Sequence, residues 1–129
     1  MIVGIGHDLC EIDRVEKLLA RETGGRFCER ILTDREQLLA APLEGRRLTE
    51  FVAGRFAAKE AVAKALGCGI GASAGFRDIA VLRGDSGRPI CELSEHARQA
   101  LGLDELIVVH ITITHEKGLA SAFSVVERI

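Results

Sequence analysis

Two acidic residues and a few basic ones carry most of the chemistry legible in this chain. Asp8 closes the segment GIGHD, just past the apolar run MIVGIG. Glu60 lies in FAAKEAVAKALGCGIG, with Lys59 before it, Lys64 four residues on and Arg55 one turn earlier. Carboxylates that hold Mg²⁺, with basic side chains against phosphate, form the arrangement that phosphoryl-group chemistry requires. The metal would polarise a phosphate and stabilise charge as it develops on a leaving oxygen.

Each residue also has a plainer reading. An Asp after a strand commonly caps a turn. At 100° per residue, Glu60 lies roughly 40° from Phe56 and about 60° from Ala63, on the side of the helix that should be packed. Lys64, at i+4, is close enough to pair with it. A self-satisfied ion pair inside the helix would stabilise little, because desolvation offsets most of the attraction. The glycines of GIGHD invite comparison with a dinucleotide fingerprint, but the third glycine is missing and no βαβ unit follows. No GxxxxGK[ST] loop exists anywhere in the chain.

Four histidines remain to be placed. His115 ends the strand-like ITITHE beside Glu116 and Lys117, and His110 sits five positions earlier, on the opposite face by period-two alternation. His7 adjoins Asp8 without partners for a metal triad, and His96 falls on a short helix where solvation is expected. Arg14, Lys17 and Arg21 share one helical face at i, i+3 and i+7, with Arg26 and Arg30 soon after. That face is either an ordinary solvated stripe or a docking site for an acidic protein.

The elements that must position these residues follow from local pattern. MIVGIG reads as a strand, and EIDRVEKLLARE as a helix ended by the glycines at 24 and 25. Thr33 and Glu36 form a capping box ahead of a short helix. A long helix is predicted from about Leu48 or Thr49 to Leu66, with Gly67 as its C-terminal glycine. FRDIAVLRG and RPICEL form a hairpin around DSGR, Ser94 caps a further short helix, and LIVVHITITHE and GLASAFSVVERI turn near Lys117-Gly118. The last four strands read as antiparallel meanders. The class is therefore α+β, an antiparallel sheet packed against a long central helix, as a single domain over residues 1–129.

Composition excludes some roles. A net charge of −2 argues against generic binding to DNA or anionic membrane, and five Phe with no Trp or Tyr argue against base-stacking platforms. No apolar run reaches membrane-spanning length, and Cys10, Cys28, Cys68 and Cys91 show no CxxC spacing. Reduced cysteines and a cytoplasmic location are the expectation.

Taken in order, GIGHDLCEIDRV, GRFCERILT, EFVAGRFAAKEAVAKALGCGIG, SGRP and ITITHEKGLASA resemble the holo-[acyl-carrier-protein] synthases. These are the small bacterial members of the 4′-phosphopantetheinyl transferase superfamily, and the resemblance runs over essentially the whole chain. It implies transfer of the phosphopantetheine arm of coenzyme A to a serine of apo acyl carrier protein, releasing adenosine 3′,5′-bisphosphate, in support of fatty acid biosynthesis. By position, it implies that Asp8 and Glu60 bind Mg²⁺, or Mn²⁺ in its place. Lys64 would contact phosphate and stabilise the leaving bisphosphate. Arg55 would lie near the nucleotide and His115 at the CoA phosphates. Arg14, Lys17, Arg21, Arg26 and Arg30 would face the acidic carrier. A homotrimer with CoA at subunit interfaces is also implied, with His115 reaching a site whose Asp8 and Glu60 belong to the adjacent chain. His7 and Cys10 depart locally from the family pattern. Two other classes stay open: a Mg²⁺-dependent phosphohydrolase acting on CoA or a nucleotide, and a non-enzymatic adaptor for an acidic protein.

Overall fold

The computed structural model describes residues Met1–Ile129. Strand β1 (Ile2–Glu11) runs straight into helix α1 (Ile12–Ala20), which buries Ile12 and Val15. Helix α2 (Gly24–Ile31) follows. The glycines expected to terminate the first helix instead open this second one, which the sequence reading did not contain. The physical reason is that GGRFCERI starts with two weak helix formers, and its helix is held by tertiary packing of Phe27 and Ile31.

Helix α3 (Asp34–Ala40) carries both halves of the predicted capping box. The Glu36 N–H donates to Thr33 Oγ1 at 3.2 Å, and the Thr33 N–H donates to Glu36 Oε1 at 2.7 Å. Helix α4 (Gly45–Leu66) begins three residues before Leu48, because its polar first turn, GRR, carries no apolar period to mark it. It ends where predicted: Gly67 takes φ +82°, and its N–H reaches the carbonyls of Ala63 and Lys64.

The second half supplies β2 (Ile79–Arg83), β3 (Pro89–Leu93), α5 (Glu95–Ala100), β4 (Ile107–Glu116) and β5 (Leu119–Arg128). Ser94 caps α5, its hydroxyl accepting from the Ala97 N–H. The last four strands do not form one meander. β2 and β3 make a separate antiparallel ribbon, whereas β4 and β5 join β1 in a three-stranded antiparallel sheet of order β1-β5-β4. Short-range alternation identifies strands, but which edge accepts β1 is a long-range choice. Here Asp8 pairs with Ala122, and His115 with Ala120, on opposite sides of β5.

Helix α4 is the centre of the core. Ala53, Ala57, Ala61 and Ala65 are buried, as are Val52 and Val62. One face of the three-stranded sheet covers the helix, and the other stays bare, leaving Ile5 61%, Leu9 57% and Phe123 42% exposed. No helix is long and apolar enough to cross a membrane.

Candidate active site

Gly4 and Gly6 set the spacing between β1 and α4. A Cβ on Gly4 would lie 1.9 Å from the Ala65 carbonyl oxygen, and one on Gly6 1.9 Å from that of Ala61. The bare strand therefore rests directly on the helix backbone. The glycines serve this contact, with no nucleotide-binding turn involved. Asp8, two residues beyond Gly6 and on the same face by alternation, arrives where its charge acts on Glu60.

Lys64 joins them, though not as expected. Its Nζ donates to Asp8 Oδ1 at 3.1 Å and to the His7 carbonyl at 3.0 Å, and it makes no salt bridge with Glu60. Helical side chains tilt toward the N-terminus, which carries the Lys64 stem back along α4 to a carboxylate and a carbonyl on β1. Glu60 is half-buried at the margin of the packed face and has no hydrogen-bond partner in the chain. No buried polar atom is unsatisfied, so its oxygens must open to the surface. Burial, and next the charge of Asp8, push its pKa above the usual carboxylate range; Lys64 offsets this in part.

Two mutually repelling carboxylates fit a hard divalent cation, which would relieve the strain that raises the Glu60 pKa. No third His, Cys, Asp or Glu converges with them. Such an ion would take its other ligands from substrate oxygens and water, as Mg²⁺ commonly does.

Alternation disposes of the two local departures. His7 points to the bare sheet face, with Nε2 3.0 Å from Ser121 Oγ and its ring beside Phe123. Cys10 faces inward, but burial, with Asp8 adding to it, pushes its thiol up to about 11, so it stays protonated and unreactive near neutral pH. All four cysteines are free thiols.

The other bases of α4 divide. Lys59, read as a basic neighbour of the pair, is fully buried and forms an ion pair with Glu36 at 2.5 Å. It is absent from the phosphate-facing set because its position, roughly 100° around the helix from Glu60, points into the packed side. Arg55 is 9% exposed, donates from Nε to the Val81 carbonyl at 3.2 Å, and lies over the Phe51 ring at 4.1 Å. Desolvation, with Arg83 adding to it against the pull of Glu36, lowers its pKa to about 10, and it remains charged. It has no carboxylate partner within salt-bridge distance, and its terminal nitrogens are at the surface rather than buried unpaired. Arg55 makes no hydrogen bond or ion pair with the Asp8–Glu60–Lys64 cluster.

His115 is likewise apart from that cluster. Its Nε2 donates to the Glu50 carbonyl at 2.9 Å, one turn before Gly54. Of the basic candidates on α1 and α2, Arg14, Arg26 and Arg30 line a groove of about 570 Å³ together with Leu18, Phe27 and Phe76. Lys17 and Arg21 lie outside its lining. The groove also takes in Leu9, next to Asp8, and Phe56, one turn before Glu60, so it opens beside the carboxylate pair.

Comparison with known proteins gives the family. Residues 4–117 match the family described as the 4′-phosphopantetheinyl transferase superfamily. A holo-[acyl-carrier-protein] synthase of Bacillus mycoides (strain KBAB4) is 49% identical over 128 residues, covering 98% of this chain and 97% of that one. The chain belongs to this superfamily. Within it, the chain is an enzyme of the holo-[acyl-carrier-protein] synthase type. A crystal structure of such a synthase from Bacillus anthracis, in complex with CoA (3′,5′-ADP), superposes with a TM-score of 0.84 at 46% identity, covering 100% and 99% of the two chains. One from Neisseria meningitidis reaches a TM-score of 0.88 at 33% identity, covering 99% and 100%. The α+β architecture around a long helix is shared with these synthases.

Two features of this synthase escaped the sequence reading. Glu36 was legible as a cap but not as the partner of Lys59, which is 23 residues away. Gly54 lies inside a helix, where glycine costs roughly 0.5–1 kcal/mol relative to alanine. A Cβ there would meet His115 Nε2 at 2.9 Å and Ile113 Cγ2 at 3.3 Å. We expect Gly54→Ala to give no gain in stability in the native protein, because the His115 ring must leave its hydrogen bond to Glu50. In a His115→Ala background, where only the Ile113 contact at 3.3 Å remains, the same change should be more favourable than in the native protein, by up to about 0.5–1 kcal/mol. Urea unfolding of the four variants checks this, and equal effects in both backgrounds would refute the contact's role.

Proposed function

We propose that this chain moves the 4′-phosphopantetheine group from coenzyme A to a serine of apo acyl carrier protein in a Mg²⁺-dependent step, with Mn²⁺ able to substitute. The released product is adenosine 3′,5′-bisphosphate, and the modified carrier serves fatty acid biosynthesis in the cytoplasm. The observation that carries this reading is the junction of the Asp8–Glu60–Lys64 cluster with an apolar groove rimmed by Arg14, Arg26 and Arg30. A phosphohydrolase needs the first feature and an adaptor only the second. Transfer to a protein acceptor uses both.

Asp8 and Glu60 would hold the cation, with oxygens of the substrate and water completing its ligands. When bound, the ion supplies Lewis-acid polarisation of the phosphate under attack. Lys64, already beside Asp8, is in place to neutralise charge on the leaving bisphosphate. Arg55, desolvated and without an acidic partner, offers its terminal nitrogens to a phosphate, and His115 offers its Nδ1. The arginines of the groove, with Lys17 and Arg21 beyond it, steer the acidic carrier so that its serine enters near Asp8. The serine proton passes to a carboxylate oxygen of the pair or to a water beside it.

That Arg55 and His115 make no hydrogen bond or ion pair with the carboxylates within one protomer, together with the bare apolar face of the sheet, supports a homotrimer. Each site would then combine Asp8 and Glu60 of one chain with His115 of the next, each protomer being one domain over residues 1–129. Ile5 and Phe123 are residues that assembly would cover.

The test is the intact mass of an apo acyl carrier protein after incubation with the enzyme, CoA and Mg²⁺. The expected result is the gain of one phosphopantetheinyl group, abolished by EDTA and restored by excess Mg²⁺. CoA cleavage with an unmodified, competent carrier would establish the hydrolase instead. Carrier binding that survives EDTA, with CoA intact, would establish the adaptor.

A further inference from the structure

Lys59 is the largest fully buried side chain in the molecule, and an ammonium in that position requires explanation. Desolvation drives its pKa down, and Glu36 opposes this by charge and hydrogen bond. Its Nζ donates to three acceptors: Glu36 Oε1 and the Ile31 carbonyl, each at 2.5 Å, and the Phe76 carbonyl at 3.0 Å. Glu36 is equally saturated. Its Oε1 also accepts from the Thr33 N–H at 2.7 Å, and its Oε2 from the Val81 N–H at 2.7 Å. One buried pair thus joins α4 to the end of α2, the start of α3, the 3₁₀ turn Phe76–Asp78 and β2.

Two of those acceptors belong to residues that line the arginine-rimmed groove, Ile31 and Phe76. The rings of Phe56 and Phe76 stack there at 5.3 Å, so the carbonyl that Lys59 holds also sets where the Phe76 ring lies. Above the pair, Arg77 repeats the connection at the surface. It donates to the carbonyls of Glu29 and Leu32 at 2.9 and 2.8 Å and pairs with Asp34 at 2.7 Å. Both cations clamp the end of α2, which carries Arg30, against the turn at Phe76.

We infer that Lys59 and Glu36 are positioning residues that fix the width of the groove and hence affinity for the carrier protein, while taking no part in the chemistry at Asp8 and Glu60. The inference rests on the reading of that groove as the carrier's docking site. Stability alone would be a poor reason for the pair, since neutral side chains of similar volume commonly replace buried ion pairs without loss.

The test is the double variant Lys59→Met with Glu36→Gln, which removes the tethers without stranding a charge. We expect a folded protein whose KM for apo carrier rises about tenfold, with kcat at saturating carrier and the Mg²⁺ concentration for half-activation within twofold of the native enzyme. Hydrogen exchange at the end of α2 should be faster. Arg77→Gln, on the surface and safe for folding, should raise the carrier KM in the same sense by a smaller factor. An unmoved carrier KM in Arg77→Gln and in any folded double variant overturns the proposal. So does a fall in kcat with a shifted Mg²⁺ requirement, which would assign the pair to the carboxylates. The native enzyme is the control: if it modifies no carrier, the functional reading fails; if it does and KM stays fixed in the variants, this proposal alone fails.

Discussion

Glu60→Gln should abolish nearly all phosphopantetheinyl transfer while leaving the metal-free protein at least as stable as before. Gln keeps the shape of the side chain and removes its charge. The loss in kcat should be about 10³-fold, the scale seen when a preorganised charge at a reacting centre is deleted. The stability effect has the opposite sign. The folded-state pKa of Glu60 is raised, so the native state binds its proton more tightly than the unfolded chain does. Stability contributed at low pH is therefore lost as pH rises from the ordinary glutamate range through the raised folded value. At neutral pH the ionised group is a net cost in the metal-free protein, and Gln removes that cost. Mg²⁺ should raise the melting temperature of the native enzyme and have little effect on the variant. Thermal melts with and without Mg²⁺, beside the mass assay, check both halves. A variant that keeps native transfer rates would remove Glu60 from the reaction, and one that melts well below the native protein would make it structural.

The second large effect concerns Gly6→Ala, a change of one methyl group that adds or removes no charge. The added Cβ would sit 1.9 Å from the Ala61 carbonyl oxygen and 2.8 Å from the Ala65 nitrogen, both backbone atoms that cannot rotate away. Either β1 lifts from α4 or the helix shifts. Overpacking of this kind costs about 3 kcal/mol or more, a fall in melting temperature of roughly 10 °C for a chain of this size. Transfer should fall beyond the loss of folded protein, because Asp8 is carried on the displaced strand. Gly25→Ala is the control: it meets nothing within 4 Å, lies in α2, and should be neutral or slightly stabilising. If Gly6→Ala melts within two or three degrees of the native protein, the strand–helix contact does not set the site.

The Gly6→Ala prediction uses a surface where two backbones touch, and that surface was not legible in the chain. The sequence showed glycines at 4 and 6 and an acid at 8, but not that the glycines were there to admit a helix. The reading of Glu60 as inward-facing was nearer the truth, and its limit is instructive. Helix α4 is buried on most of its circumference, with Arg55 and Lys59 among its buried residues, so it has no single apolar stripe against which an angle can be judged. Glu60 stands at the margin, Lys59 in the interior and Lys64 in solvent, and all three occur within one and a half turns.

What the sequence determined by itself was local. The capping box of Thr33 and Glu36, the cap at Ser94, the stop at Gly67 and the alternation of β4 and β5 all depend on residues within a few positions of one another. The carboxylates at 8 and 60 were legible for a related reason, since their chemistry resides in residue type. Partners were decided only by the tertiary structure. Lys64 bonds to Asp8 instead of its helical neighbour, Lys59 to Glu36, and β1 to the far edge of β5. A charged side chain that loses its water must find whichever acceptor the packing brings within 3 Å or so, and that choice is fixed by distance in space rather than by separation along the chain.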